Sequence, residues 1–334
     1  MSVRFHKSHK TLAATAVAVA AILALGACSG SKKARSSSAP ATSGSIASAT
    51  TTAQGVQVTG GFGTKPSLVV PTSAAPAALT QQTITQGAGA AIVAKDTVIV
   101  NYVGQTWAQK NGAPNVFDSS FTRGTPAAFV IGANAVIPGW DKTLVGKQVG
   151  SRVVLTIPPA DGYGATGQSS ANIGPTDTLV FVIDLVADYK PDASAPGTIE
   201  PNLPATGLPK FTNVPGQKPV ISSTTGVKVP AQPTSTLVVL GSGAKIDSAK
   251  TLLLQIVQTD IATGKTSQAT WGVGPQAVPA SSVLGLADKL TGKTIGSRAV
   301  VLTPPHAATP ATATAAARSA IPAEILIVDV IGQF

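Results

Sequence analysis

Apolar residues in this chain come in short runs rather than in long helical stripes. Runs of this kind, rich in valine, isoleucine and threonine, predict β-strands; they extend from Thr97 to Val103, Ala127 to Ile131, Ser151 to Ile157 and Thr178 to Val186. Only the stretch from Pro138 to Val145 predicts a helix, with proline in its first turn and Gly146 just after its end. The pattern favours an α+β domain, in which a curved antiparallel β-sheet wraps around one short α-helix.

The chain also repeats itself. The sequence VGKQVGSR at residues 145–152 returns as TGKTIGSR at 291–298. Shorter pairs keep nearly the same offset: GTKP at 63–66 with GQKP at 216–219, GAG at 87–89 with GSG at 241–243, and VID at 182–184 with IVD at 327–329. Such self-similarity indicates two copies of one domain. We place the first copy at residues 61–190 with its core at 83–188, a proline-rich linker at 191–215, and the second copy at 216–334.

The N-terminal residues have the order of a secretion signal. Basic residues precede an apolar run from Leu12 to Leu25, which is shorter than the roughly 20 residues that span a bilayer. Gly26 and Ala27 before Cys28 resemble the lipobox of bacterial lipoproteins, which implies acylation of Cys28 after removal of residues 1–27 and a stable membrane anchor. The alternative is an ordinary cleaved signal with an incidental cysteine. We therefore expect an extracytoplasmic, lipid-anchored protein.

Residues 28–60 are rich in serine, alanine and threonine and lack apolar periodicity, so we expect a disordered tether there. Basic residues near the start of this tether favour contact with anionic lipid headgroups. A solvated linker that makes no such contact is an equally good interpretation.

Composition argues against several classes of chemistry. The chain has 334 residues, a net charge of +10, three histidines and one cysteine. So few histidines argue against serine triads and zinc sites, and a single cysteine excludes an intrachain disulfide. Lysine and arginine form no long runs, so we expect no nucleic-acid partner. We predict no cofactor and no metal.

Aromatic residues are distributed unequally between the copies. Nine of the chain's aromatic residues lie between residues 102 and 189: Tyr102, Trp107, Phe117, Phe121, Phe129, Trp140, Tyr163, Phe181 and Tyr189. The second copy keeps only Trp271 and Phe334. Since a core can be built from aliphatic residues alone, the extra rings predict a lined pocket in the first copy.

Five motifs of the first copy, in this order, resemble the FKBP family of peptidyl-prolyl cis/trans isomerases: VNYVG at 100–104, VFDSS at 116–120, VIPGW at 136–140, YGATG at 163–167 and TLVF at 178–181. The resemblance covers residues 83–188 and implies the half-open sheet around a short helix. It also implies isomerase activity on proline-containing polypeptides, and binding of the family's macrolide ligands.

The resemblance assigns site residues position by position. The catalytic set is Tyr102, Phe117, Asp118, Trp140, Tyr163 and Phe181, with Trp140 as the floor of a proline pocket and Asp118 and Tyr163 at its mouth. The substrate-binding set is Arg123, Phe129, Val136, Ile137 and Ile173, with the Ile137 N–H holding a substrate carbonyl. Two positions depart from the family pattern: Ala127 replaces an aromatic residue and Gln168 a frequent histidine. The loop from Gln168 to Pro175 is also one residue longer, with Ile173 as its apolar tip.

Other interpretations of single residues stay open at this point. An aspartate before two serines, as at Asp118, is also typical of a turn. Trp140 is also compatible with an ordinary core position, and Tyr163, between glycines, with a side chain that only holds its loop in place. Asp141 and Asp161 also suit a carboxylate pair for glycoside chemistry, although nothing else in the sequence favours it.

The second copy lacks the pocket residues. The repeat aligns Tyr102 with Ile256, Trp140 with Leu286, Phe181 with Leu326 and Tyr163 with about Thr309, and finds no Phe-Asp pair between Thr266 and Thr270. We expect a degenerate FKBP-like domain that serves docking or spacing. For the whole chain, we expect an isomerase acting on X-Pro bonds of secreted or surface proteins. The alternatives are a tethered module that holds proline-containing segments with little catalysis, and an adhesin-like repeat, which the aromatic pocket disfavours.

Overall fold

The computed structural model describes residues 50–282, 290–306 and 320–334. The predicted signal, Cys28 and most of the predicted tether lie outside these residues. Within the described ranges, no helix has the length and apolar character needed to cross a membrane. We call residues 50–190 the first half and residues 191–334 the second half.

The first half consists of two sheets and two short helices. Its strands are β1 (Thr50–Ala53), β2 (Val56–Thr59), β3 (Ser67–Val69), β4 (Thr80–Thr85), β5 (Thr97–Thr106), β6 (Val116–Ser119), β7 (Ala127–Val130), β8 (Arg152–Ile157) and β9 (Leu179–Tyr189), and its helices are α1 (Ser120–Arg123) and α2 (Pro138–Leu144). The main sheet has the order β4-β8-β9-β5-β6, with β7 pairing β5 further along, and every pair is antiparallel. The predicted α+β class is confirmed, as are the four predicted strands and the helix at Pro138. The expectation of a single helix is wrong, because α1 adds one further helical turn.

The second half repeats this strand order. Its strands are β10 (Thr198–Ile199), β11 (Lys210–Phe211), β12 (Ile221–Ser223), β13 (Thr234–Leu240), β14 (Thr251–Asp260), β15 (Thr266–Ala269), β16 (Gln276–Pro279), β17 (Arg298–Thr303) and β18 (Glu324–Gln333). The order β13-β17-β18-β14-β15, with β16 pairing β14, matches the first half strand for strand, and β10 adds an edge beside β13. The residues that align with α2, around Leu286, lie outside the described ranges.

Both halves have a buried arginine–aspartate pair at the same place in the sheet. Arg152 on β8 lies opposite Asp184 on β9, and its Nε and Nη2 donate to the carboxylate at 2.6 and 2.8 Å. Arg298 and Asp329 form the same pair at 2.6 and 2.9 Å. Unpaired charges are too costly to bury, so each member of a pair requires the other. This explains why the GSR and VID or IVD motifs recur together.

The recurring GTKP and GQKP segments are bound by these arginines. Arg152 donates to the carbonyl oxygens of Gly60 at 2.5 Å and Thr64 at 2.7 Å, and Gly63 N–H donates to Asp184. Arg298 likewise donates to the carbonyl oxygen of Gln217 at 2.5 Å. Each pair therefore fixes a chain segment that comes before β4 in the first half and before β13 in the second.

The prediction of a disordered tether extending to residue 60 is wrong for residues 50–60, which form β1 and β2. A tight turn with positive φ at Gln54 and Gly55 joins the two strands. Ala53, Val56 and Val58 are buried against the outer face of the main sheet, where they meet Val154 and Val180. The composition of this segment did not predict the hairpin, because serine, alanine and threonine dominate it and only three small apolar residues face the sheet.

The predicted linker at 191–215 is also wrong in character, because this segment is part of the second half. The carbonyl oxygen of Pro191 accepts hydrogen bonds from Gly272 and Gln255, both at 2.9 Å. Ala195 is fully buried and its N–H donates to Asp329 at 2.7 Å. Leu203, Leu208 and Phe211 pack on the outer face of the second sheet. Proline content indicated a linker, but it is equally compatible with an extended segment fixed along a sheet.

Candidate functional site

A cleft of about 270 Å³ opens between the main sheet of the first half, α2 and the segment 163–171. Its lining contains all six predicted catalytic residues and three of the predicted substrate-binding residues: Tyr102, Phe117, Asp118, Phe129, Val136, Ile137, Trp140, Tyr163, Gln168, Ser170, Ala171 and Phe181. The residues come from six separate chain segments, so only the folded sheet brings them together.

Trp140 forms the floor of the cleft. It is 3% exposed, and its ring centroid lies 5.5 Å from that of Tyr102, 5.2 Å from Phe129 and 5.3 Å from Phe181, all edge to face. This arrangement is the favourable one for aromatic rings, because the positive edge of one meets the negative face of another. The indole N–H donates to no atom of the described residues. The floor is therefore a closely packed aromatic surface.

Gly104 makes room for two of the cleft's rings. A Cβ at this position would lie 2.6 Å from Phe181 and 2.8 Å from Phe117, which is closer than real Cβ contacts. The two rings lie 5.5 Å apart and occupy this space. Gly104 lies within the VNYVG motif, but the motif does not reveal this role, because the close approach arises between strands.

The mouth of the cleft carries a polar triad of Tyr102, Asp118 and Arg123. The Tyr102 hydroxyl donates to one carboxylate oxygen of Asp118, and Arg123 forms an ion pair with the other. Arg123 Nη2 also donates to the Tyr102 hydroxyl at 3.0 Å, and its guanidinium lies 5.5 Å from the Tyr102 ring centroid. Asp118 and Arg123 are both more than a third exposed, so the pair adds little stability and mainly orients the carboxylate.

Burial and the Asp118 hydrogen bond raise the pKa of Tyr102 to about 12. Because this value is above that of an unfolded tyrosine, the protonated hydroxyl stabilises the folded state. We expect this contribution to be complete below about pH 10 and to fade as the pH rises from 10 towards 12. Burial also raises the pKa values of Tyr163 and Tyr189.

Spectrophotometric titration of the chain's three tyrosines tests this arrangement. All three are expected to ionise above the ordinary tyrosine pKa of about 10, and Tyr102→Phe should remove the step at the highest pH. A Tyr102→Phe protein that kept this step would show that another tyrosine is the most strongly shifted.

Two serines position the polar triad. Ser120, fully buried, accepts a hydrogen bond from Tyr102 N–H at 2.9 Å and donates to Asn101 at 3.1 Å. Ser119 caps α1 by accepting from Thr122 N–H at 3.3 Å. The serines after Asp118 thus begin a capped helical turn, while Asp118 itself lies on β6 and reaches the cleft.

Asp141 fixes the wall of the cleft and was assigned no such role from the sequence. Its carboxylate accepts from Gly132 N–H at 2.6 Å and Asn134 N–H at 2.7 Å, in the loop that leads to Val136 and Ile137. Asp161 instead pairs with Lys142 at 2.6 Å. Both carboxylates are therefore engaged in structural contacts, which argues against a glycosidase pair.

The Ile137 N–H and the Tyr163 hydroxyl are two of the donors at the cleft that lack a protein partner. Neither group forms a hydrogen bond within the described part of the chain. Val136 and Ile137 directly precede α2, so the start of this helix aims the Ile137 N–H. A carbonyl oxygen of a bound peptide fits the requirements of both donors.

Ile173 does not lie on the cleft, contrary to prediction. It is 4% exposed and belongs to the core around α2. Backbone hydrogen bonds in both directions between Gln168 and Ile173, at 2.8 and 3.0 Å, close the loop, and a left-handed Asn172 turns the next residue inward. Ser170 and Ala171 occupy the rim instead.

Three of the nine clustered aromatic residues are absent from the cleft. Trp107 is buried on the opposite face of the sheet, where its indole N–H donates to the Ser73 carbonyl oxygen at 2.9 Å. Phe121 and Tyr189 also lie elsewhere. Aromatic content alone therefore overestimates the number of aromatic residues that line the cleft.

The second half has no equivalent aromatic set at the corresponding registers. Tyr102 pairs with Ile183 in the first sheet, and Ile256 pairs with Val328 at the same register of the second sheet. Likewise, Gly104 pairs with Phe181 in the first sheet, and Gln258 pairs with Leu326 in the second. Asp118, opposite Gly104, corresponds to Gln268, opposite Gln258. The aligned residues Leu286 and Thr309 lie outside the described ranges. Across the described ranges, no group of three histidine, cysteine, aspartate or glutamate residues is arranged to hold a metal ion.

Comparisons with known proteins match the part of the chain that carries the cleft. The family model for FKBP-type peptidyl-prolyl cis-trans isomerase matches residues 89–186. An FK506-binding protein of Streptomyces anulatus is 42% identical over 123 residues, 37% of this chain and 96% of that protein. FK506-binding protein 2 of Yarrowia lipolytica is 45% identical over 92 residues, 28% of this chain and 60% of that protein. The isomerase FkpA of Escherichia coli is 39% identical over 124 residues, 35% of this chain and 43% of that protein.

Proposed function

This chain belongs to the family of FKBP-type peptidyl-prolyl cis-trans isomerases, and we propose that its aromatic cleft isomerises X-Pro bonds in secreted or cell-surface polypeptides. The observation that carries the proposal is the cleft itself. A closely packed floor of Trp140, Phe129 and Phe181 lies beneath two donors that have no protein partner. A proline ring fits the floor, and the carbonyl groups on the two sides of the X-Pro bond fit the donors.

The reaction requires a change of shape and no proton transfer. The barrier to rotation about a peptide bond is about 18–20 kcal/mol, because twisting destroys amide resonance. A catalyst therefore needs to bind the twisted amide more tightly than either planar form. The twisted carbonyl has lost resonance and carries less charge, so an apolar cleft accommodates it better than a planar amide.

The polar residues at the mouth orient the rotating carbonyl. Asp118 is held by Tyr102 and Arg123, so its carboxylate points in one direction. The Ile137 N–H anchors the carbonyl on the other side of the bond, while the Tyr163 hydroxyl donates at the mouth. Fixed dipoles of this kind stabilise a transition state because they need not reorganise during the reaction.

Asp118→Ala and Tyr163→Phe are each expected to lower kcat/KM about tenfold, because each removes one oriented polar group, worth roughly 1.4 kcal/mol. A protease-coupled assay of X-Pro peptide isomerisation measures the effect, with the exposed Gln82→Ala as the control variant. Complete loss of activity in either variant with an intact fold would contradict a site in which the aromatic floor makes the main contribution.

Binding of macrolides by the same cleft is part of the proposal. Two of the relatives are named for FK506 binding, and such a ligand would compete with the proline ring for Trp140. FK506 is expected to inhibit the isomerase assay competitively. Saturable binding of proline peptides without catalysis would instead favour a module that holds proline-containing segments.

The proposed location rests on the sequence before residue 29. We propose that Cys28 is acylated and holds the protein on the outer side of the cell membrane. Mass spectrometry of the mature N-terminal peptide is expected to find a diacylglyceryl group on Cys28, and Cys28→Ser is expected to release the protein from membranes. An unmodified cysteine in a soluble mature protein would refute the anchor.

We further propose that the second half is an FKBP-like domain without isomerase activity. Its strand order supports the relationship, and Ile256, Gln258 and Leu326 occupy the positions of cleft residues. Isomerase assays on a fragment comprising residues 191–334 test this. The fragment begins at 191 because the segment from Pro191 is hydrogen-bonded to this half. Catalysis by this fragment would overturn the assignment.

A further inference from the structure

A groove of about 550 Å³ lies on the opposite face of the first-half sheet from the cleft. One wall is formed by residues 68–75, which continue from β3, and the other by residues 105–109 at the end of β5. Thr176, Asp177 and Thr178 also line it. Gln105 pairs with Val180, whose side chain is buried under β1 and β2, whereas the neighbouring Phe181 faces the cleft. The two concavities are therefore separated by the sheet.

Gln105 is the unusual residue of this groove. It is 4% exposed, it lines the groove, and its side-chain amide forms no hydrogen bond within the described part of the chain. The amide oxygen and nitrogen are not fully buried, so the small exposed part of this side chain presents them to the groove. The amide presents a donor and an acceptor side by side. A peptide group presents the complementary pair.

The neighbouring backbone is also unpaired. β3 pairs only with β2, so its other edge is free. Beyond β3, the backbone N–H groups of residues 72–75 donate to no atom of the described residues. An extended chain can add to such an edge as a further strand, with main-chain hydrogen bonds providing affinity.

The groove offers no free charge. Asp177 is the one charged residue in its lining, and its carboxylate is bound by Lys110 at 2.6 Å and by Gly174 N–H at 2.7 Å. The rest of the wall is small and apolar or uncharged, including Leu68, Val70 and Pro114. Phosphate or carboxylate ligands find no counter-charge here, and a purely apolar ligand leaves the Gln105 amide unpaired.

We propose that this groove binds an extended, uncharged polypeptide segment along the free edge of β3, with one of its peptide groups hydrogen-bonded to Gln105. The site requires no proline and is independent of the isomerase cleft. It gives the chain a second contact with unfolded polypeptides, on the face opposite the catalytic one.

The test uses the full chain and a fluorescent, proline-free peptide of alternating valine and threonine. Fluorescence anisotropy is expected to show saturable binding that FK506 does not compete. The same peptide with alternate backbone nitrogens methylated cannot pair with a strand edge and is expected not to bind. Absence of saturable binding, or equal binding of the methylated peptide, overturns the proposal.

Gln105→Leu tests the residue directly. It preserves the side chain's size and is expected to weaken peptide binding about tenfold while leaving isomerase kcat/KM within about twofold of the wild type. Gln82→Leu, on the exposed surface of β4, is the matched control. If Gln105→Leu does not fold, Ala74→Trp places a large ring across the exposed rim and is expected to block the groove. Unchanged peptide binding in the folded variant contradicts the proposal.

Discussion

Replacing Asp184 with alanine is expected to lower the free energy of unfolding of the first half by about 3–5 kcal/mol. The change leaves the guanidinium of Arg152, which is 1% exposed, without its counter-charge. It also removes the acceptor of Gly63 N–H, so the segment that Arg152 holds through Gly60 and Thr64 is freed at the same time. Such a loss is a large part of the stability of an ordinary domain.

Denaturant unfolding monitored by tryptophan fluorescence measures this effect. Lys142→Ala breaks an exposed ion pair with Asp161 and is expected to cost at most about 1 kcal/mol. Asp329→Ala removes the equivalent carboxylate of the second half and should destabilise that half instead. A loss no larger for Asp184→Ala than for Lys142→Ala would show that the buried pair is not the anchor of the sheet.

Gly104→Gln is expected to lower kcat/KM about 100-fold, since a displacement of about 1 Å at an active site has effects of this size. The new side chain meets Phe181 and Phe117 within 2.8 Å of its Cβ, so both rings must move. No polar group of the cleft is changed. Glutamine is tolerated by the same sheet position in the second half, where Gln258 donates to Glu324 at 2.7 Å.

The matched control is Gly61→Gln, because a Cβ at Gly61 meets no atom within 4 Å. It is expected to keep wild-type activity. Overpacking at Gly104 is expected to cost about 1–3 kcal/mol of stability, so activity is compared at a temperature where circular dichroism shows both variants folded. Wild-type kcat/KM in a folded Gly104→Gln protein would mean that the ring geometry does not matter.

The sequence was most informative where function depends on local motifs. Tyr102, Asp118, Trp140 and Phe181 lie in short family-like segments, and the structure places all four on the cleft. The repeated GSR motif likewise predicted a repeated structure, although not its buried pairing, because Arg152 and Asp184 meet only across β8 and β9. Motifs identify residues, whereas distant contacts determine which of them meet.

Composition was the least reliable guide. Residues 50–60 share the serine, alanine and threonine content of the segment before them, yet they form strands because three apolar side chains reach the outer face of the sheet. Residues 191–215 contain several prolines but are fixed by partners as distant as Asp329. The packing role of Gly104 could not be predicted from the sequence either, because the rings that contact it come from other strands.

We propose that the isomerase activity of this chain resides in the aromatic cleft of the first half. The most direct test is kcat/KM for an X-Pro peptide in the full chain carrying Tyr102→Ile and Phe181→Leu, the residues found at the same registers in the second half. Trp271→Leu, which changes a buried ring in the outer-face core of the second half, is the control. We expect isomerisation at the uncatalysed rate in the double variant and wild-type kcat/KM in the control. Wild-type activity in a folded double variant would contradict it.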